Sequence, residues 1–535
     1  MTTKILLGDE AVALGAVHAG LAVGYSYPGT PASEVMEYLI RISKQEIGFR
    51  AKWCVNEKVA YEEALGVSFA GKRTMVSMKH VGLNVAADPF MNSALIKIMG
   101  GLVVVVADDP GMHSSQNEQD SRYYSQFAHI MCFEPSDHQE AYDMTRHAFD
   151  VSEKWNIPVM IRLVTRLSHS RSKVKTQPSR KESKHARGKD GDWTLLPVNA
   201  RRGFKALVEK QKEFVKVSEE SRFNSLILNK KNHSLGIIAS GIAYNYVKEN
   251  IEDKAAAPSI LKISTYPLPQ AKLSQLVEHA DTILIIEEGY PFIERQLRGL
   301  FGIKGKSIQG KLSGHLPITG ELQPDIVRKA MQIEPLPRQQ NPEIKLAGRP
   351  PQLCKGCPHA DTVTALNQVL ESYPDAAVFS DIGCYTLAAL PPYNAVDTCV
   401  CMGASVSMAK GGAEAGIFPS VGMIGDSTFA HSGITPLVDA AAANTNMTLI
   451  IVDNASVAMT GGQPSFLSGD KLLRMIEGAG VDKKHIRDFI PLPKNLEENK
   501  GILKEEIEHQ GLSVIVAFRE CVQEVRKRKK KGANR

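Results

Sequence analysis

Apolar residues along this chain fall in short continuous runs, separated by longer stretches where they recur every three or four positions. In the first 165 residues the runs are LAVGYS, TMVSMK, LVVVVAD and IPVMIRLVT, and helical periods lie between them, as from Asn56 to Phe69. Runs of this length, bounded by turn residues, suit strands buried on both faces. Helices between them suit the crossovers of a parallel sheet. The pattern breaks at RSKVKTQPSRKESKHARGK and returns from about 195 to 335 with LGIIASG, SILKIST and TILIIEEG. A Pro-rich stretch, EPLPRQQNPEIKLAGRPPQ, interrupts again before AAVFSDIG, SVGMIGDS, MTLIIVDN and LSVIVAFREC. The pattern predicts three α/β domains with parallel sheets, at 1–170, 193–335 and 351–525. It also predicts a basic linker or insertion at 171–192, a Pro-rich linker at 336–350 and a basic tail at 526–535. A chain of 535 residues accommodates three such cores.

With 43% hydrophobic and 23% charged residues, the composition is that of a globular protein. No apolar run reaches the length of a membrane span; the best, around IMGGLVVVVADD, is flanked by Lys97 and Asp108. No secretory leader is evident, so a cytoplasmic location is the default expectation. The net charge of +6 is concentrated. Residues 171–189 carry +7 and residues 526–531 carry +6, which leaves −7 for the rest of the chain. Both basic segments are expected to be disordered or solvated. No folded basic face with interleaved aromatics accompanies them, so nucleic acid is not an expected partner. Eight cysteines in such a chain point to metal or catalytic use.

Two predicted strand ends carry polar groups together. One ends at Gly425-Asp426-Ser427 and the next at Asp453-Asn454. Ligands of open parallel sheets sit beyond the carboxyl ends of strands. Asp426 and Asn454 offer hard oxygen ligands for Mg²⁺ shared with a phosphate. Gly425 is expected to let the backbone turn sharply, and the following helix to present its N-terminal amides to a diphosphate. The pair resembles the thiamine diphosphate motif, GDG followed after about 25 residues by an Asn-containing pair, with Ser427 in place of the last Gly. On that pattern Mg²⁺ takes Asp426, Asn454 and the backbone carbonyl of Ser456. Thiamine diphosphate also needs a carboxyl group against its aminopyrimidine ring. Glu57, at the head of a helix just after a strand, is the candidate; its structural alternative is a charge that stabilises a helix N-terminus. Separately, Cys354 and Cys357 have the C-x-x-C spacing of a metal site that needs two further ligands.

The segments SYPGTP, NEKVAYEEALG, GKRTMVSMKHVGLNVAADP, CKGCPH, DIGCYTLAALPP, DTCVCMGASVSMA and GDSTFAHSGI resemble the indolepyruvate ferredoxin oxidoreductase alpha subunit, a branch of the 2-oxoacid:ferredoxin oxidoreductases. The resemblance runs from about residue 4 to residue 521. It implies a pyrimidine-binding domain, a transketolase-C-like domain and a diphosphate-binding domain, in that order. It maps the aminopyrimidine carboxylate onto Glu57 and the Thr of the YP-x-TP turn onto Thr30, with Lys79 and His80 as pocket candidates. It implies one [4Fe–4S] cluster on Cys354, Cys357, Cys384 and Cys521. Four thiolates also suit Zn²⁺, but zinc has no redox chemistry. Cys399 and Cys401 are competing ligands, and Cys54 and Cys132 are expected to be buried small residues. His359 and His431 stand at motif positions, to contact the diphosphate or to pack.

The implied activity is oxidative decarboxylation of an aryl 2-oxoacid such as indolepyruvate, with coenzyme A, electrons leaving to ferredoxin or another acceptor. The implied assembly includes a smaller gamma-type (beta) subunit, as a heterotetramer. The sequence departs from the family in TGGQPSF, where the family has TGHQPHP. It also has no cysteine after Cys521, where the family continues into a ferredoxin-like domain. The electron exit is therefore expected on another protein. Two rival readings remain open: a non-oxidative thiamine-dependent decarboxylase or ketol transferase with a structural metal, and a non-catalytic scaffold that holds a partner.

Overall fold

A computed structural model describes residues 2–45, 48–181, 193–251, 257–335, 348 and 351–533. Residues 182–192 of the expected basic linker lie outside the described residues, as does the expected Pro-rich linker apart from Gly348. The chain divides into two compact units, Met1–Gln340 and Asn341–Arg535.

Among the described residues, the first unit holds two larger sheets. One has seven strands, ordered Thr265–Tyr266, Cys132–Phe133, Val159–Val164, Leu102–Asp108, Thr74–Lys79, Val23–Ser26 and Arg50–Trp53. All its neighbours pair in parallel except the first two. Leu102–Asp108 is buried along its whole length, which its unbroken apolar run requires of a strand covered on both faces. The second sheet runs Ser307–Gln309, Thr282–Ile286, Leu235–Ser240, Ser259–Ile263 and an antiparallel edge, Ser225–Ile227. The two are joined by backbone pairing of Thr265–Tyr266 with Cys132–Phe133 and by a buried charge network. Arg162 bonds Asp108 at 2.6 Å and Glu134 at 2.5 Å, while Arg122 pairs with Asp120 at 2.5 Å and Glu287 at 2.9 Å. Both arginines are fully buried. Buried charge of this kind is tolerated because each guanidinium is paired.

The second unit has a five-stranded parallel sheet: Ala377–Ser380, Ser420–Gly425, Met447–Asp453, Leu512–Phe518 and Ile486–Phe489. The α/β class and its parallel sheets are as the periodicity predicted.

The described parts of both basic segments are more ordered than expected. Arg171–Lys175 is a strand, paired antiparallel with Thr3–Leu7. Its alternation of charged and small residues puts Val174 inward, fully buried, and the basic residues outward. The described part of the tail belongs to a helix, Val522–Ala533. Straight-chain Lys and Arg are good helix formers once a turn is nucleated, and here Glu524 stands in the first turn. No described helix is long and apolar enough to cross a membrane.

Candidate active site

In the first unit, four adjacent parallel strands end on one edge, and each end carries a candidate residue or its support. Thr30 follows Val23–Ser26, Glu57 follows Arg50–Trp53, Lys79 ends Thr74–Lys79, and Asp108 ends Leu102–Asp108. The helix Glu57–Phe69 begins there because Asn56 caps it, its side chain accepting from the Val59 amide at 2.8 Å. This puts the buried Glu57 at the first position of the helix. The Glu57 carboxyl lies over Gly82, in the short helix His80–Val85. A Cβ on Gly82 would stand 2.5 Å from Glu57 Oε1. Glu57 and the segment of His80 are thus brought together. His80 Nε2 lies 3.2 Å from Asn117 Oδ1, and its buried Nδ1 has no hydrogen-bond partner among the described residues.

Thr30 and Lys79 also converge. Lys79 Nζ donates to the Ser114 carbonyl at 2.9 Å, and Ser114 Oγ donates to the Thr30 carbonyl at 3.4 Å. Burial lowers the Lys79 pKa, against the opposing charge of Asp109. Asp109 was not foreseen from the sequence. It accepts from the Ser114 amide at 2.8 Å, Ser115 Oγ at 2.6 Å and Thr165 Oγ1 at 2.6 Å. Burial works to raise its pKa, but these bonds prevail and hold it below the usual value. Asp109 therefore fixes the HSSQ loop against the Thr30 turn.

In the second unit the two strand ends lie side by side, Gly425 opposite Val452 in the parallel register. Gly425 itself corrects the sequence reading. Its backbone is extended, φ −83° and ψ 156°, so no sharp turn needs a glycine. It is required because a Cβ would come within 2.7 Å of the Tyr385 ring. Asp426 opens the helical segment Asp426–Ala442, which widens to a π-turn at Phe429–Gly433. Such π-turns are frequent at functional sites. His431, buried in that turn, lies 2.6 Å from Ser432 Oγ through Nδ1.

The loop Asn454–Ala455–Ser456 is shaped by Ala455, which is left-handed at φ 57°, a conformation that costs a non-glycine residue about 1 kcal/mol. Asp453 holds the loop by accepting from the Ala455 amide at 3.0 Å, Ser468 Oγ at 2.9 Å and the Gly469 amide at 2.8 Å. Asn454 Oδ1 accepts from the Ser456 amide at 2.9 Å, and Asn454 Nδ2 donates to His359 Nε2 at 3.0 Å. The amides of Ser427 and Asn454 face the Asp426 carboxyl.

Four buried polar atoms around this loop have no hydrogen-bond partner among the described residues: Asp426 Oδ2, Ser427 Oγ, Ser456 Oγ and His359 Nδ1. Burial, then the charge of Asp453, pushes the Asp426 pKa up to about 8. Burial, then Arg519, pushes His359 down to about 4, so it is neutral. Because its Nε2 accepts from an amide NH₂, the proton of neutral His359 sits on Nδ1. That atom is a buried donor facing no acceptor. A carboxylate short of a cation beside donors short of an acceptor is a set that could hold a diphosphate with its metal ion.

The cysteines gather next to it. The half-buried Cys384 thiol is pushed up to about 12, by desolvation first and then by Cys357, Cys521 and Cys354. Cys357 is raised by burial, with Cys354 and Cys521 adding to it. Cys399 and Cys401 are exposed and feel Asp381 instead. The amide of Cys521 donates to the Asn454 carbonyl at 3.1 Å. Cys357 precedes the helix Pro358–Leu370, whose second residue is His359. One loop therefore touches both the Asp426 site and the cysteine group. Cys54 and Cys132 are buried in the first unit.

Two supporting residues were missed. Asp381, pushed up to about 6 mainly by burial, accepts from Ser405 Oγ at 2.7 Å and the Gly403 amide at 3.1 Å, and bonds Tyr385 OH. It seats the ring that covers Gly425. Arg519 donates to the Gly356 carbonyl at 2.8 Å and to Asp361 Oδ2 at 2.8 Å, which pins the CKGC turn. A lone Asp or Arg at a strand end gives no signal by spacing.

Residues 14–195 match the family "Pyruvate flavodoxin/ferredoxin oxidoreductase, thiamine diP-bdg", and residues 381–517 match "Thiamine pyrophosphate enzyme, C-terminal TPP binding domain". The chain is similar to indolepyruvate oxidoreductase subunit IorA of Archaeoglobus fulgidus, 37% identical over 96% of this chain and 86% of that protein. It is 36% identical to the subunit of the same name from Methanothermobacter thermautotrophicus, over 97% of this chain and 86% of that protein. In fold it is similar to a 2-oxoglutarate:ferredoxin oxidoreductase of Magnetococcus marinus, with a TM-score of 0.52 at 17% identity, covering 62% of this chain and 65% of that one. The chain belongs to the indolepyruvate oxidoreductase subunit IorA family, an oxidoreductase family built on thiamine diphosphate-binding domains.

Proposed function

We propose that this protein carries out the oxidative decarboxylation of an aryl 2-oxoacid of the indolepyruvate kind, with coenzyme A as acyl acceptor. A smaller partner subunit completes the enzyme, and electrons pass through a [4Fe–4S] cluster to ferredoxin or a similar acceptor. The observation that carries this reading is the set of four unpartnered buried atoms around Asn454, on the same loop that accepts the Cys521 amide. Asp426, Asn454 and the Ser456 carbonyl would hold Mg²⁺, while Ser427 Oγ and His359 Nδ1 would donate to the diphosphate. Thiamine diphosphate, when bound, would supply the nucleophilic carbon and the electron-rich centre that this reaction needs.

The chain's own residues have distinct tasks. Glu57 donates a proton or hydrogen bond to the aminopyrimidine, Gly82 leaves the space in which it does so, and Thr30 with Lys79 lines the pocket for the oxoacid. Arg519 and the Asn454 loop hold the cysteines. The two one-electron steps of the proposed oxidation call for a cluster over zinc, which has no redox chemistry.

The test is anaerobic purification with the partner subunit, followed by iron, zinc and thiamine analysis and turnover with a panel of 2-oxoacids. About four iron atoms per chain are expected, lost in Cys384→Ser but kept in Cys401→Ser, with thiamine diphosphate bound in both when it is supplied at saturating concentration. Stoichiometric zinc without iron would replace this reading with a non-oxidative enzyme. Failure to bind thiamine diphosphate would leave only a scaffold.

A further inference from the structure

Asp9 has no part in the chemistry above, yet its position calls for a partner. It stands in the first turn of the helix Gly8–His18 and is fully buried, and neither carboxylate oxygen has a hydrogen-bond partner among the described residues. Glu34, in the first turn of Ser33–Ser43, and His169, at the end of Thr165–His169, face it. One ligand atom from each of the three lies within 4.8 Å of the other two. Ser168 is also fully buried. Its hydroxyl and the Val35 amide are close enough to Asp9 to lower the Asp9 pKa, but neither contact has hydrogen-bond geometry.

Burial, and then Glu34 and Glu10, drive the Asp9 pKa well above its ordinary value. The neighbouring Glu10 is already engaged by the Leu7 amide at 3.0 Å and Arg41 at 2.9 Å. Glu34 pairs with His169, which lowers the carboxyl pKa and raises the imidazole's, so Asp9 is the group left without a positive charge. His169 supplies a ring nitrogen 3.4 Å from Glu34 Oε2. Buried carboxylates are ordinarily paired with a cation or ligate a metal.

We propose that Asp9, Glu34 and His169 bind one divalent cation of the Mn²⁺ or Zn²⁺ class, with Ser168 against the bound ion. Two carboxylates neutralise the ion's charge, and an imidazole selects metals that accept nitrogen over Ca²⁺ or Mg²⁺. Three protein ligands leave positions for water. The Glu34 and His169 side chains are 33% and 36% exposed, so an ion can enter from solvent. The ion would tie together the starts of two helices and the end of a third. One of these, Ser33–Ser43, begins directly after the Thr30 turn and bonds it, the Gly29 amide donating to Ser33 Oγ at 3.0 Å. The ion would therefore be a structural brace for that turn, separate from Asp426 and from the cysteines.

The test uses the full chain, stripped of metal and titrated with MnCl₂ without thiamine diphosphate, free Mn²⁺ being read by its EPR signal. Mn²⁺ is hard and discriminates against cysteine sulfur. Wild type should bind one equivalent that Asp426→Asn also binds. Asp9→Asn and His169→Asn should each bind it at least about 100-fold more weakly, a loss at or above that of an outer partner. Asp9→Asn is isosteric, and His169 is exposed, so matching circular dichroism would show that fold is not the cause. Wild type with a dissociation constant weaker than about 1 mM would overturn the proposal, and so would variants that bind as tightly as wild type. A protonated Asp9 sharing its proton with Glu34 would give the first of these results.

Discussion

Gly82→Ala separates the two meanings of Glu57. In the bland one, Glu57 is a negative charge at a helix start, and its exact place over Gly82 is incidental. In the other, its carboxyl must reach the aminopyrimidine. An alanine Cβ at 82 would stand 2.5 Å from Glu57 Oε1, 2.6 Å from Cγ and 2.8 Å from Cδ. Each distance is far inside van der Waals contact, so something must move. The mobile partner is the end of a flexible glutamate, not backbone. Gly82 is helical, so alanine fits its backbone and favours the helix by up to about 1 kcal/mol. The substitution should therefore leave thermal stability unchanged or slightly raised while displacing the carboxyl. A lost acid–base group costs at least about 10²-fold in rate, or about 2.7 kcal/mol of transition-state stabilisation. Glu57→Gln should show a similar loss, and both variants should still bind Mg²⁺ and thiamine diphosphate. The double variant should be no slower than the slower single one, because both remove one interaction. The assay is anaerobic reduction of a ferredoxin or viologen dye with 2-oxoacid and coenzyme A. Wild-type turnover by Gly82→Ala would return Glu57 to the role of a helix-end charge.

Two further outcomes follow from the charges. Glu288 is pushed up to about 7, by burial first and with Lys311 opposing, against about 4.5 when unfolded. The folded state thus keeps a proton that the unfolded state loses, so this group's contribution to stability is lost as pH rises from about 4.5 to 7, by roughly 3 kcal/mol. Glu288→Gln should remove that slope. All three tryptophans, Trp53, Trp155 and Trp193, lie in the first unit and report its denaturation; a wild-type minus variant difference that does not change with pH would refute the assignment. The tail helix lies along the cysteine turn, Gln523 donating to Cys354 Sγ at 3.1 Å and Lys527 to the Gly461 carbonyl at 2.8 Å. Lys529→Glu with Lys530→Glu should slow reduction of an acidic acceptor at low salt and flatten the salt dependence; rates unchanged at both ionic strengths would leave the helix a solubilising end.

The sequence disclosed what depends on continuous burial or on fixed spacing. Every strand foreseen from an apolar run is present, because a strand covered on both faces has little choice of residue. Arg50–Trp53 was foreseen only as the strand before Glu57, not from an apolar run. It is an edge strand whose alternate residues are exposed, so RAKW carries no apolar run. Arg171–Lys175 was hidden for the same reason, its charges overriding the single buried Val174. At the candidate site, Asp426, Asn454, Glu57 and the C-x-x-C were proposed from position, while Thr30, Cys384 and Cys521 came only with the family resemblance. Asp109, Asp381 and Arg519 were illegible, since each acts through partners between 4 and 163 residues away along the chain.

The layout of the second unit bears on how electrons would leave. In the proposed reaction the donor must sit close to the cluster, and the same loop would have to serve both. Asn454 does so with separate atoms: its side chain faces the Asp426 site, and its carbonyl accepts the Cys521 amide. His359 does so through the chain, two residues after Cys357. Such shared supports make the two sites energetically dependent, because a shift of the Asn454 carbonyl to accommodate an altered Cys521 also moves the amide that bonds His359. Each site then acts as an effector of the other, and the coupling must be reciprocal. Oxidative loss of the cluster should weaken cofactor binding by the same factor by which cofactor removal weakens retention of the cluster. A zinc site of purely structural kind would not be expected to answer to the redox state of the solution, so this reciprocity also bears on which metal the cysteines hold.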